Sequence, residues 1–143
     1  MNVAFLDANV FLDALLQRGE YEDAGKILND ANKGMVTVYT SAACLQNVIY
    51  FLSKAKITNN SIVDIMNVLL RYVALAQTTE KNFLLALHAG FTDLEDAIQY
   101  YTALGVKDMD YFITSNIKDY KKALPRLPVV TPKQFLASYN KTK

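Results

Sequence analysis

The segment Val3-Ala4-Phe5-Leu6-Asp7-Ala8-Asn9 decides the fold, because it predicts a buried strand that runs directly into polar side chains. An unbroken apolar run of this kind is typical of a strand covered on both faces, as in the centre of a parallel sheet. Ligands of such sheets bind in the crevice outside the carboxyl ends of the strands. Asp7 is therefore either directed at chemistry or the cap of the following helix, since Asp is also a favoured N-cap residue.

Length and composition favour one globular domain over residues 1–143. Hydrophobic residues make up 52% of the chain and charged residues 20%, which suits a protein with a sizeable core. The net charge of +1 argues against a broad basic surface, so a nucleic-acid substrate would need a local patch or a bound metal ion. The lone Cys44 fits a reducing compartment. No segment predicts a membrane span or a signal peptide, so we expect a cytoplasmic protein.

Strands alternate with helices along the chain. The apolar and β-branched runs predict strands at residues 3–6, 36–39, 73–76, 111–114 and 129–130. Helical periodicity fills the intervals, and Thr131-Pro132 begins a last helix. This alternation predicts an α/β fold with a parallel sheet and helices on its faces.

Six acids are candidates for a metal site, namely Asp7, Asp93, Glu95, Asp96, Asp110 and Asp119. Asp93 and Asp96 project from one helix face, and Asp7 and Asp119 join them at one sheet edge if strands 1 and 4 are neighbours. Facing carboxylates need a cation, and oxygen ligands select Mg²⁺ or Mn²⁺. His88 is the only histidine, which leaves no Cys–His set for zinc.

The acids before the helix near residue 94 also have a structural explanation. Thr92-Asp93-Leu94-Glu95 matches a capping box, and acids in a first turn stabilise the helix dipole. Asp96 fits this explanation less well, because it precedes Ala97-Ile98, where the apolar face begins.

Three segments in this order resemble the successive motifs of PIN domains, and most closely the toxin-type branch of bacterial toxin–antitoxin pairs. They are LDANVFLD at 6–13, DLEDAIQ at 93–99 and DYFITSNIKDY at 110–120. No single motif is specific, but the ordered set covers nearly the whole chain. The resemblance implies a three-layer α/β/α sandwich with a central parallel sheet of about five strands and Mg²⁺- or Mn²⁺-dependent cleavage of RNA.

The resemblance also implies roles by position. Asp7 corresponds to the first metal ligand and Asp96 to the central acid, with Asp93 one turn earlier as a supporting ligand. Asp110 corresponds to a position ahead of strand 4 that is structural rather than catalytic. The fourth motif, where an acid or amide completes the site, contains Thr114, Asn116 and Asp119.

The second motif departs from the family pattern. PIN domains usually carry a glutamate about six residues into the segment after strand 2, and SAACLQNVIY at 41–50 has Asn47 there, or Gln46 if the register slips. An amide oxygen can coordinate Mg²⁺ but brings no charge, so we expect weaker metal binding and weaker activity. The alternative is a PIN-like fold that has lost catalysis and acts as a binding module.

Basic and aromatic residues near the motifs are candidates for RNA contact. Lys118, Lys121, Lys122 and Arg126 follow the fourth motif and are candidates to hold the RNA backbone, although a solvated basic loop is the ordinary alternative. Aromatic side chains stack on unpaired bases, but at helix and strand spacing they are more often core or interface. Four such tyrosines are Tyr50, Tyr100, Tyr101 and Tyr111.

The toxin-type resemblance also implies protein partners. In such proteins apolar surfaces meet a second subunit and an antitoxin, so we expect a homodimer and an antitoxin protein. Four apolar residues of the helix near residues 59–72 belong either to such a surface or to the core, namely Ile62, Ile65, Met66 and Leu69.

A phosphatase of the haloacid dehalogenase type is a further hypothesis. FLDANV at 5–10 resembles its strand followed by Asp-x-Asp-x-Thr/Val, in which the first Asp is the nucleophile. Asn9 stands where the second Asp, the general acid, would lie, and no late acidic pair is evident. The sequence therefore favours the PIN-domain hypothesis.

Overall fold

Five parallel strands form the centre of the protein, and seven α-helices flank them within the described residues. The structure, a computed structural model, describes residues 1–141, with side chains described through Tyr139. In chain order the elements are β1 (Val3–Leu6), α1 (Ala8–Leu16), α2 (Tyr21–Asn32), β2 (Thr37–Ser41), α3 (Ala42–Lys54), α4 (Asn59–Leu69), β3 (Val73–Ala76), α5 (Glu80–Leu87), α6 (Leu94–Leu104), β4 (Tyr111–Ile113), a 3₁₀ helix (Ile117–Tyr120), β5 (Val129–Val130) and α7 (Pro132–Lys141).

The strand order β3-β2-β1-β4-β5 places β1 at the centre of the sheet. Phe5 of β1 is in register with Tyr39 of β2 on one side and with Phe112 of β4 on the other. The rings of Phe5 and Phe112 stack with their centroids 5.2 Å apart. The prediction that strands 1 and 4 are neighbours is therefore confirmed, and the carboxyl ends of both strands meet at one edge.

The core explains why the first strand is so apolar. Ala4, Phe5 and Leu6 are each 0% exposed, as expected for a central strand with helices on both faces of its sheet. Helices α1, α2 and α7 pack together, as do α5 and α6. The predicted α/β/α sandwich is confirmed. Within residues 1–141, no helix combines the length and apolarity needed to cross a membrane.

The packing decides whether the apolar residues of α4 belong to the core or to a partner surface. On α4, Ile62 and Leu69 are buried, while Ile65 and Met66 are half-buried against the core. These four side chains therefore belong to the core, and the surface-exposed apolar residues of this segment are Val63, Val68 and Leu70.

The capping box predicted for the start of α6 is wrong by one residue. Asp93, not Thr92, is the N-cap, and its Oδ1 accepts a hydrogen bond from the backbone N–H of Asp96 at 3.0 Å. A structural role for Asp93 is therefore confirmed, but Asp93 has it as the N-cap residue itself. Glu95 is an exposed residue of the first turn.

Candidate metal centre

Asp7 lies where the central strand turns into the first helix. Its backbone N–H donates to the carbonyl of Ile113 on β4 at 3.0 Å, so two strands fix its position. Its side chain is the N-cap of α1, with Oδ1 accepting from the N–H of Ala8 at 2.9 Å. The residue is 7% exposed. The capping interpretation is confirmed, and the same carboxylate stands at the edge where ligands of parallel sheets bind.

The second oxygen of Asp7, Oδ2, is surrounded by hydrogen-bond donors. It accepts from the Tyr120 hydroxyl at 2.9 Å and from Thr114 Oγ1 at 3.0 Å, with Asn9 Nδ2 at 3.4 Å. Oδ1 has the N–H of Ala8 and, at 3.9 Å, the Cys44 thiol. Each carboxylate oxygen offers about two lone-pair sites, so Oδ2 with its three donors is saturated. Oδ1 is the less committed oxygen, because one of its two contacts is only the long, weak contact with the Cys44 thiol.

Asp96 lies beside Asp7 in the first turn of α6 and is half-buried. Burial, together with the negative charges of Asp7 and Asp93, raises the pKa of Asp96 to about 7. Burial likewise raises the pKa of Asp7 above its usual value, with a smaller contribution from the charge of Asp93. The charge of Asp93 thus opposes the ionisation of both Asp7 and Asp96, and the charge of Asp7 opposes that of Asp96.

The remaining predicted acids lie at different distances from this group. Asp119 is exposed on the 3₁₀ helix, accepts a hydrogen bond from the side-chain amide of Asn116, and contributes to the raised pKa of Asp96. Asp110 is elsewhere, because its Oδ2 accepts from the N–H of Val3 at 2.8 Å, at the amino end of β1. The structural role expected for Asp110 is confirmed.

A cavity of about 640 Å³ opens beside the acids. Asp7, Asp96 and Glu95 line it together with Asn47 and Gln46 from α3. Both residues considered for the second motif therefore face the same space as the central acid. Glu95, a candidate acid that also has a structural explanation, adds a further carboxylate to this wall.

Three side chains in or beside this cavity were not assigned a role by the motifs. Gln99 lies one turn after Asp96 and accepts hydrogen bonds from Ser41 Oγ and Cys44 Sγ. The i, i+3 spacing from Asp96 is the signal that would have found it. Burial, followed by the charge of Asp7, raises the pKa of the Cys44 thiol to about 11, so the thiol stays neutral.

Tyr120 is the third side chain without an assigned role, after Gln99 and Cys44, and it is 3% exposed. Burial raises the pKa of its hydroxyl, and the charges of Asp7 and Asp96 act in the same direction. The hydroxyl is therefore held in its protonated, donating form. No sequence signal distinguished Tyr120 from the other aromatic residues of the core.

The predicted RNA-contacting cations do not line the cavity. Lys118, Lys121, Lys122 and Arg126 are all exposed. Arg126 borders a separate depression with Lys107. Ion pairs among residues 1–139 join Arg18 to Asp13 and Lys26 to Asp30, so in this part of the chain no salt bridge neutralises the acid group.

The carboxylate and amide oxygens of the site are ligands that a hard divalent cation prefers, although they do not surround a metal position completely. Among the described residues, no three His, Cys, Asp or Glu side chains are arranged to hold a metal ion by themselves. Mg²⁺ commonly keeps several waters and binds one or two carboxylates together with substrate phosphates. Asp7 and Asp96, facing an open cavity with amide oxygens nearby, match that kind of site.

Comparisons with known proteins bear on the family and the fold. A family model described as PIN domain matches residues 3–118, and no curated protein sequence matches the chain. A similar solved structure is VapBC2 from Rickettsia felis bound to a DNA fragment from their promoter, with a TM-score of 0.63, 18% identity, and coverage of 90% of this chain and 98% of that chain. At that identity the likeness concerns the fold alone. The family model matches most of the length of this chain, and the chain therefore belongs to the PIN domain family.

Proposed function

We propose that this protein is a metal-dependent endoribonuclease, the toxin of a toxin–antitoxin pair, which hydrolyses RNA phosphodiesters with Mg²⁺ or Mn²⁺ held by Asp7, Asp93 and Asp96. The main support is the cavity at the carboxyl end of β1, which Asp7 and Asp96 both line; burial and repulsion by neighbouring carboxylates raise the pKa of both residues. A divalent cation relieves this repulsion, and hard cations prefer oxygen ligands. We propose Asp119, on the 3₁₀ helix, as a further ligand. We also propose a single PIN-like domain over residues 1–143 and a cytoplasmic location.

The side chains around Asp7 would have different roles in the reaction. The bound ion would supply activation of a water molecule and stabilisation of charge on the phosphate. Thr114 is 0% exposed and donates to Asp7, so its role is to orient that carboxylate rather than to touch RNA. Asn116, which is half-buried and donates its N–H to Thr114 Oγ1 at 3.2 Å, is the better candidate to position the scissile phosphate.

RNA would be held mainly by exposed cations outside the cavity. Lys118, Lys121 and Lys122 lie on and after the 3₁₀ helix that carries Asp119, so a phosphate backbone lying there passes close to the acids. Arg126 would contact RNA only further along the strand. Tyr50, 54% exposed at the cavity wall, is available to stack on a base.

RNA cleavage in the presence of Mn²⁺ tests the proposal. The native chain is compared with Asp96→Asn, which removes a proposed ligand, and with Asn47→Glu, which restores the usual acid of the second motif. We expect loss of cleavage in the first and a gain in the second. Asp110→Asn is the matched control, because its carboxylate lies at the other end of β1, and it should cleave at the native rate. Equal cleavage by all four proteins would mean a contaminant or a wrong site.

The second candidate function is a catalytically weakened or inactive PIN-like binding module. The uncharged Asn47 in the cavity wall favours it, because the site then has one fewer negative charge for a cation. A ligand that binds only the folded state raises the melting temperature. Absence of any rise with millimolar Mn²⁺ would favour the binding module over the nuclease.

Membership of the PIN family removes the ground for the phosphatase hypothesis.

We also propose that a second copy of the chain and an antitoxin cover apolar surface on α3, α4 and α5. The similarity to VapBC2 supports partners of this kind. Light scattering should return about twice the monomer mass of 16.0 kDa, and a monomer at high concentration would count against the dimer. The exposed apolar side chains are Ile49, Tyr50, Phe51, Val63, Val68, Leu70, Phe83, Leu84, Leu85 and Leu87.

A further inference from the structure

Tyr120 ends the 3₁₀ helix with its ring in the core and its hydroxyl at the acids. The ring packs against Phe112, with centroids 4.9 Å apart, and against Phe91 at 5.9 Å. It also lies 6.4 Å from the ring of Tyr100. This aromatic packing fixes the direction of the ring, so the position of the hydroxyl is determined by the core rather than by solvent.

The hydroxyl lies near two carboxylates from different parts of the chain. It donates to Asp7 Oδ2 at 2.9 Å, and it is close enough to Asp96 for the charge of that carboxylate to oppose its ionisation. Asp7 follows the central strand and Asp96 begins α6, so the hydroxyl lies where the sheet edge and this helix approach each other. A phenol has a single hydrogen to donate, and the short contact to Asp7 uses it.

We propose that Tyr120 is a positioning residue for the metal ion, whose hydroxyl occupies Asp7 Oδ2 and leaves Oδ1 as the oxygen offered to the cation. This inference rests on the proposed function, since it concerns the same site. Thr114 also donates to Oδ2, but it is anchored on the sheet next to Asp7. Tyr120, by contrast, reaches Asp7 from the 3₁₀ helix and also lies near Asp96. Partners that orient metal ligands in this way typically contribute 10–100-fold to metal affinity.

The test is the affinity for Mn²⁺ of Tyr120→Phe, measured without RNA by calorimetric titration and by the electron paramagnetic resonance signal of free Mn²⁺. Phenylalanine keeps the ring and its packing and removes only the hydroxyl. We expect binding to weaken by roughly tenfold or more. Tyr100→Phe is the matched control, because it removes a hydroxyl from the same aromatic group whose partners are the backbone of Leu124 and Leu127. Its Mn²⁺ affinity should equal that of the native chain.

The possible results separate this inference from the proposed function. Native affinity in Tyr120→Phe, or tighter binding, overturns the positioning role and leaves the metal site intact. An equal loss in Tyr100→Phe also overturns it, because the effect would then come from packing. If the native chain binds no Mn²⁺, or if Asp96→Asn binds as tightly as the native chain, the proposed function fails and the inference fails with it. Circular dichroism spectra and urea midpoints establish that each variant is folded.

Discussion

Replacement of Asp96 by Asn should stabilise the metal-free protein while removing its response to metal. The carboxylate of Asp96 is opposed by burial and by the charges of Asp7 and Asp93, which raise its pKa to about 7. At pH 8 the native protein therefore keeps an unfavourable charge in the folded state. Asparagine has nearly the same shape without the charge, so the variant is relieved of that cost.

The size of the effect follows from the pKa. A rise from 3.8 to about 7 would correspond to about 4 kcal/mol for a fully shielded group, at about 1.4 kcal/mol for each pKa unit. Asp96 is only half-buried, and solvent screening reduces such contributions strongly. We therefore expect the variant to gain about 1 to 2 kcal/mol in free energy of unfolding at pH 8, or roughly 3 to 7 °C in melting temperature.

The pH dependence has a definite sign. The pKa of Asp96 is higher in the folded state than in the unfolded chain, so the unfolded state releases its proton first as the pH rises. The contribution of Asp96 to the free energy of unfolding is consequently fully present below pH 3.8 and is lost as the pH rises through about 7. Asp96→Asn lacks this dependence, so its advantage should be full at pH 8 and should disappear near pH 4.

Urea unfolding in EDTA and in Mn²⁺ provides the assay. A cation that binds only the folded native protein adds about 2.7 kcal/mol when its concentration is 100 times the dissociation constant. The order of stability should therefore reverse, with the variant more stable in EDTA and the native chain more stable in Mn²⁺. If Asp96→Asn were less stable than the native chain in EDTA at pH 8, the inferred charge repulsion at Asp96 would be refuted. Equal stabilisation of both proteins by Mn²⁺ would refute the role of Asp96 as a ligand.

Three further variants or treatments follow from the same geometry. Asn47→Glu should tighten Mn²⁺ binding, seen as a larger rise in melting temperature at a fixed Mn²⁺ concentration, and should lower stability in EDTA because it adds a charge to the cavity. Thr114→Val removes a buried donor to Asp7 and should cost about 1 to 3 kcal/mol in urea unfolding; a neutral effect would show that Asp7 does not depend on it. Cys44 should react with a thiol reagent orders of magnitude more slowly in the folded protein than in urea, because it is 3% exposed and burial raises its pKa to about 11; rapid labelling of the folded protein would contradict the buried position.

The parts of the fold that local sequence determines were predictable. The unbroken apolar run before Asp7 requires a strand covered on both faces, and the structure places it at the centre of the sheet. The spacing of Asp93 and Asp96 alone predicts that both residues lie at the start of one helix, as they do. Periodicity and the order of polar residues after apolar runs are local properties, which is why they identify elements and sheet edges.

The parts that depend on tertiary packing were not predictable in the same way. The apolar residues of α4 fitted either the core or a partner surface, and only the packing against the sheet assigns Ile62 and Leu69 to the core. Arg126 follows the fourth motif by sequence yet borders a different depression from the acids. The hydroxyl of Tyr120 approaches Asp7 across 113 residues of chain, a contact that no local pattern encodes.

The position of Asp7 links stability to the proposed chemistry. Its carboxylate caps α1, accepts from groups on three separate segments, and ends the central strand. Substitution at Asp7 therefore removes hydrogen bonds of the fold as well as a proposed ligand, whereas Asp96 has few such bonds and mainly bears repulsion. The hydrogen bonds of Asp7 thus support the metal-free fold, whereas the charge of Asp96 opposes it. A loss of activity at Asp7 alone would not separate unfolding from lost metal binding, and Asp96 is the residue at which the two effects have opposite signs.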